Sequence, residues 1–497
     1  MTATGTTGTL RSLADTVLMP CFDGTTAPDW LRRRVSESLG AVCLFGRNVR
    51  DDAQVRALTD VLLAERAELV VAIDEEAGDV TRLDASTGSP YPGNAALGRV
   101  DDVATTRSVG ARVGARLRAA GVTLNFAPSA DLGDRPDNPV IGTRAFGADP
   151  DLVARHTVAF VRGQQDAGVA ACAKHFPGHG GTSADTHLHP AVIAGDLAAL
   201  ENGPLRPFRA AVDAGVATVM AGHLSVPAVD PLPASISARW LTEILRGDWG
   251  FDGVIVTDAL EMQALAGRYG LAGSAVLALA AGADLLCIGG ATRSDEELSG
   301  LTDAIVDAVR DGTLPADRLA DAARRVSGLP AVAGAAASRQ VGAPVGASGV
   351  GAEDVATATR AVTVAGPLPR WAGPGLLLRC EETPNIAVGV VPWGPGAVRG
   401  DLAEMILTAG AQLPVAAIRD AGTVVVITRD RHRHRWMREL TTAVRTHRPD
   451  AVLLEMGVAG VADEDVPALA TYGATRASTQ AALRLLGAGT DGTEWGG

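Results

Sequence analysis

Up to about residue 330 the chain alternates short apolar runs, rich in β-branched residues, with longer stretches of amphipathic period. The runs are TVLMP (16–20), AVCLF (41–45), LVVAID (69–74), VTLNFAPSAD (122–131), VAACAKHF (169–176), ATVMAGHL (217–224), GVIVTDA (253–259) and ADLLCIG (283–289). Between most of them lie segments such as WLRRRVSESL, DVATTRSVGARVGARLRAA and LTEILRGDW, which have the spacing of surface helices. Eight buried strands separated by helices predict an α/β fold, a (β/α)8 TIM-like barrel over residues 1–330. An open doubly wound sheet would give a similar alternation. Residues 331–352, AVAGAAASRQVGAPVGASGVGA, are rich in Ala, Gly and Ser, lack periodicity and read as a linker. A smaller α/β open-sheet domain is expected over 353–497. Its strand-like runs are NIAVGVV (385–391), TVVVIT (423–428) and AVLLEMG (451–457), and its helical ones RWMRELTTAVRT and TRASTQAALRLLG.

A length of 497 residues suits two or three domains, and 47% hydrophobic residues supply their cores. The net charge of −13 argues against a nucleic-acid or anionic-membrane partner, because phosphates would be repelled. The N-terminal stretch lacks a basic segment followed by an apolar core, so no signal peptide is read there. The apolar SAVLALAAGADLLCIG is broken by Gly282 and Asp284 and is short for a membrane span. Cys21, Cys43, Cys172, Cys287 and Cys380 form an odd, scattered set without a CxxC pair. Buried thiols in a reduced, cytoplasmic protein are the expectation.

Polar residues close the apolar runs repeatedly. The third run ends in Asp74, the fourth in Asp131, the fifth in Lys174 and His175; the sixth holds His223 and the seventh Asp258. Charged groups there cost desolvation energy unless they are paired or used. In a barrel these positions form the catalytic face. KHFPGHGGTSADTHLHP (174–190) carries four of the nine histidines and the only lysine.

His175 and His179 have the spacing of a helical metal pair, but Pro177, Gly178, Gly180 and Gly181 break any helix, and no HExxH occurs. No metal is expected, and no GxSxG elbow, P-loop or GxGxxG between strand and helix asks for a cofactor. RDRHRHRW (429–436) reads as a solvated helix start. A sugar site accounts for more of the pattern. Glycoside cleavage needs a carboxylate at the anomeric carbon and an acid for the leaving oxygen. Asp258 suits the first task, Lys174 and His175 can donate to hydroxyls, and Asp185 is two residues from His187, an imidazole that titrates near neutrality.

Together KHFPGHGGTSADTH, AIDEEAGDVTRL, NFAPSADL, NPVIGTRAFGADP, VMAGHLSVPAVD, PASIS and FDGVIVTDALEM resemble glycoside hydrolase family 3, in its β-N-acetylglucosaminidase branch. The resemblance covers roughly residues 10–330 and fades beyond 350, although TYGATRASTQAAL is similar to the second domain of longer members. It implies a retaining double displacement on terminal N-acetylglucosamine of muropeptide-type or related glycosides. Asp258 matches the nucleophile, His187 the acid/base and Asp185 its partner. Asp74, Arg82, Arg144, Lys174 and His175 match residues that hold the sugar ring in the −1 site.

Two stretches depart from the family pattern: Ala77-Gly78-Asp79 replaces Gly-Gly-Arg, and Gly181 replaces an aspartate. Asp79 either reverses the charge of the site's rim or turns away from it. A phosphorylase on the same scaffold is the alternative, since a neutral histidine would not repel phosphate. A non-catalytic sugar-binding protein is the third reading. The expected partner is a small carbohydrate, and the sequence carries no signal for oligomeric state.

Overall fold

In a computed structural model, residues 3–185, 189–290, 294–336, 349–458, 460 and 466–488 are described, the side chains of 3–7 and 330–336 excepted. Long-range contacts divide the chain into two units, each made of three stretches. The first comprises Met1–Glu75, Thr106–Pro139 and Ala148–Gly346; the second comprises Glu76–Thr105, Val140–Gly147 and Ala347–Gly497.

The first unit is built on eight parallel strands: β1 (Leu18–Pro20), β2 (Ala41–Leu44), β3 (Val70–Ile73), β4 (Leu124–Asn125), β5 (Ala170–Phe176), β6 (Thr218–Ala221), β7 (Val254–Thr257) and β8 (Leu286–Ile288). They run in hydrogen-bonded order β7-β6-β5-β4-β3-β2; β8 pairs with β1, and a bridge from Val256 to Leu285 joins β7 to β8. Each was legible as an apolar run. Alternate residues point inward, and Met19, Ala41, Cys43, Val70, Ala72, Leu124, Phe126, Ala170, Cys172, Met220, Val254, Val256, Leu285 and Cys287 form one core. Val326 and Leu329, from helix Ala316–Ala336, join that core. Three of the five cysteines are thus small interior fillers, and all five are buried and unbridged.

The fourth strand is shorter than its apolar run. Regular pairing stops at Asn125, and Pro128 has no N–H to continue it. An isolated bridge from Ser129 to Lys174 then resumes contact with β5. Helix Gln263–Ala281 is long and apolar enough, by length and composition, to cross a membrane. It ends before the Gly282 and Asp284 interruption and buries Ala275, Ala278, Leu279 and Ala281. Asp284, fully buried, accepts the Ile255 amide at 2.9 Å and pairs with Arg246 and Arg318. Helix Ala316–Ala336 runs into the span read as a linker, and residues 337–348 lie outside the described ones.

The second unit holds a sheet of β9 (Thr363–Ala365), β10 (Gly375–Cys380), β11 (Ala403–Leu407), β12 (Thr423–Thr428), β13 (Val452–Glu455) and β14 (Ala468–Ala470). Its order is β9-β14-β13-β12-β10-β11, parallel except for β9. NIAVGVV is not a strand. The Asn385 carboxamide oxygen accepts the Val388 amide at 2.8 Å, its carbonyl accepts Gly389 N–H at 3.0 Å, and Gly389 takes φ +73°. These local bonds fold the segment into a turn. The strand is GLLLRC, just before it.

Candidate active site

The strand ends of the first unit carry the polar residues expected there. β5 changes register between Ala173 and Phe176, which places the irregularity at Lys174 and His175. In a regular strand these neighbours would face opposite ways; a bulge re-aims them. Lys174 Nζ donates to Asp74 Oδ1, at the end of β3, at 2.6 Å. His175 Nδ1 lies 2.7 Å from Asp131 Oδ2, beyond β4. Lys174 is 2% exposed and Asp131 fully buried. Both charges would be prohibitively costly there without these partners.

Asp131 is the hub of the loop that follows β5. Its carboxylate also accepts the His175 amide at 3.2 Å, the His179 amide at 2.6 Å and the Ser129 hydroxyl at 3.0 Å. Burial pushes its pKa up, but the charge of His175 and these hydrogen bonds outweigh burial and hold it below the usual carboxylate range. His179 stacks edge-on against His175, with ring centroids 6.0 Å apart. Burial, then His175, lowers its pKa to about 4, so at neutral pH it is an uncharged strut. Asn138 donates its amide to the carbonyls of His179 and Gly180, at 2.9 and 3.1 Å. Neither Asp131 nor Asn138 was assigned a role from sequence, although Asp131 stood at a strand end and both lie within the resembling motifs.

Asp258 follows β7 and is half-buried. Its amide donates to the Ala221 carbonyl on β6 at 2.9 Å, and its Oδ1 accepts the Ala259 amide at 2.8 Å. Its charge acts on both His179 and Glu261. Glu261 accepts the Gly289 amide at 3.1 Å and the Gly290 amide, and burial raises its pKa. Asp185 is half-buried in the β5 loop, where its carbonyl accepts the His189 amide at 2.8 Å. His187 lies outside the described residues.

Arg82 and Arg144 belong to the second unit. Arg144, 5% exposed, forks onto both oxygens of Glu76 at 2.9 and 2.8 Å. Arg82 donates to the carbonyls of Ala387 and Val388 at 2.8 and 3.3 Å. Asp79 turns into this unit. It accepts Thr143 Oγ1 at 2.6 Å and the Ala474 amide at 2.9 Å, and pairs with Arg429 at 2.7 Å. The negative charge that replaces the family arginine is therefore neutralised locally, and the first arginine of RDRHRHRW has a structural partner. His434, from the same patch, lies 3.5 Å from Glu382.

The family model described as the glycosyl hydrolase family 3 N terminal domain matches residues 26–329. A beta-hexosaminidase of Nitrosomonas eutropha is 38% identical over 290 residues, 56% of this chain and 82% of that protein. A glycoside hydrolase family 3 beta-N-acetylglucosaminidase from Paenibacillus sp. superposes with a TM-score of 0.85 at 31% identity, over 96% of this chain and 97% of its own. A beta-glucoside phosphorylase shares the fold at a TM-score of 0.75 and 19% identity, over 98% of this chain and 93% of its own. With residues 26–329, which hold seven of the eight parallel strands and the polar residues at their ends, matched by that family's domain, the chain belongs to glycosyl hydrolase family 3.

Proposed function

We propose that this glycoside hydrolase is a retaining exo-β-N-acetylglucosaminidase that releases terminal N-acetylglucosamine from muropeptide-type or related glycosides. The observation that carries the reading is the set of residues at the strand ends: a carboxylate on β7, a buried ammonium–carboxylate pair joining β5 to β3, and a buried imidazole–carboxylate pair joining β5 to β4. The paired Lys174, Asp74 and His175 supply fixed donors and acceptors suited to sugar hydroxyls. The names of the relatives support N-acetylhexosamine as the sugar.

In the first step an Asp258 oxygen attacks the anomeric carbon while an acid delivers a proton to the departing glycosidic oxygen. The carbon–oxygen bond to the leaving group breaks and a glycosyl ester forms on Asp258. In the second step the conjugate base takes a proton from water, whose oxygen attacks the same carbon and returns the carboxylate. We assign the acid/base role to His187, with Asp185 as its partner, on the sequence resemblance. Arg82 and Arg144 are assigned to the sugar on the same ground.

The test is a pair of variants on two substrates. Asp258→Ala should abolish turnover of an aryl N-acetylglucosaminide, and an unaffected rate would remove Asp258 from the mechanism. His187→Ala should slow substrates with poor leaving groups by at least about a hundredfold, yet activated aryl glycosides far less, because these need little protonation. Equal losses on both would count against His187 as the acid.

A further inference from the structure

His223 lies just beyond β6, is 1% exposed and has no part in the chemistry just described. Its Nε2 is 2.9 Å from the Ala259 carbonyl, which can only accept, so Nε2 carries a proton and donates. Its Nδ1 is 2.7 Å from the Ser235 hydroxyl. The Ser235 amide donates in turn to the Gly222 carbonyl at 3.2 Å, and the Gly222 amide to the Phe176 carbonyl at 2.9 Å. The ring therefore fastens the residue after Asp258 to a frame that reaches the end of β5. Ala259 also supplies the amide that holds Asp258 Oδ1, so one peptide neighbour is gripped from both sides.

The next residue, Leu224, opens a short strand, Leu224–Val226, that pairs in parallel with Ala191–Val192, where the Asp185-containing loop rejoins the fold. The Ile193 amide extends this pairing to the Ser225 carbonyl at 2.8 Å. His223 thus stands where the turn of the β7 carboxylate and the anchor of the β5 loop meet.

We infer that His223 is a positioning residue for the nucleophile: its hydrogen bond to the Ala259 carbonyl fixes the Asp258 turn in the attacking geometry. The inference rests on the assignment of Asp258 as nucleophile. A residue that sets the line of attack acts on bond formation to carbon and not on protonation of the leaving oxygen. Its removal should therefore lower the rate alike for activated and unactivated leaving groups.

The experiment compares His223→Leu and His223→Gln with the wild type on an aryl N-acetylglucosaminide and on an N-acetylglucosamine-terminated disaccharide. His223→Leu keeps the volume and removes the donor. It should lower kcat by about ten- to a hundredfold on both substrates, with KM within about twofold. His223→Gln, whose side-chain amide can reach the same carbonyl, should recover most of that loss. A leucine variant with wild-type kcat, a loss confined to KM or to the disaccharide, or no recovery with glutamine would each overturn the inference. Where the leucine variant yields no folded protein, Ser235→Ala decides on the same readouts. A several-fold fall in kcat at constant KM supports the inference, and a wild-type profile overturns it. A wild type silent on both substrates overturns the glycosidase reading along with it, whereas an active wild type beside an unaffected variant removes His223 alone.

Discussion

His179 shows how closely one side chain's titration is tied to its packing. Burial, with His175 beside it, lowers its pKa to about 4 from the ordinary 6.5. The unfolded chain accepts a proton near pH 6.5 that the folded protein refuses until about pH 4. Its contribution is therefore whole above pH 6.5 and lost as the pH falls toward 4, at about 1.4 kcal/mol per unit. Denaturant titrations at pH 7 and pH 5 should differ by about 2 kcal/mol from this group, and His179→Asn should flatten the difference. Undiminished acid sensitivity in the variant would place its origin elsewhere. At this scale the sequence marks Asp74, Asp131, Lys174 and His175 as charges that end apolar runs and so need partners. It did not reveal their partners. Lys174 meets a carboxylate 100 residues away and His175 one 44 residues away, and such pairings are set by strand order. Asp79 shows the same limit: the sequence leaves open whether it alters the rim or turns away from it, and the structure holds it on Arg429 and the Ala474 amide.

The loop after β5 carries two adjacent glycines, of which only the first is required by close approach. A Cβ on Gly180 would lie 2.1 Å from the Leu132 carbonyl oxygen, whereas one on Gly181 would meet Ile193 at an ordinary 3.5 Å. Gly180→Ala should cost about 1–3 kcal/mol and displace the loop, lowering activity with it. Gly181→Ala should stay within about 0.5 kcal/mol of the wild type. Thermal melts and turnover of the two variants check this, and the opposite ranking would refute the loop's close approach to Leu132. Elements were most legible where burial on both faces left an unbroken apolar run, as in β2 and β3. They were least legible where local hydrogen bonds compete with pairing. NIAVGVV has strand-like composition, yet Asn385 and Gly389 fold it into a turn, and GLLLRC supplies the strand.

Across the whole molecule, the barrel was readable because it repeats one local pattern, whereas the grouping of residues 76–105 and 140–147 with the C-terminal part follows from distant contacts that no local pattern announces. The central claim is retaining hydrolysis of a terminal β-N-acetylglucosaminide, and the stereochemistry and acceptor of one reaction test it most directly. Proton NMR should follow the intact protein acting on an aryl β-N-acetylglucosaminide in phosphate buffer. The β-anomer of N-acetylglucosamine should form first and mutarotate only later, without a sugar phosphate. Initial release of the α-anomer, or N-acetylglucosamine 1-phosphate as the main product, would contradict the account.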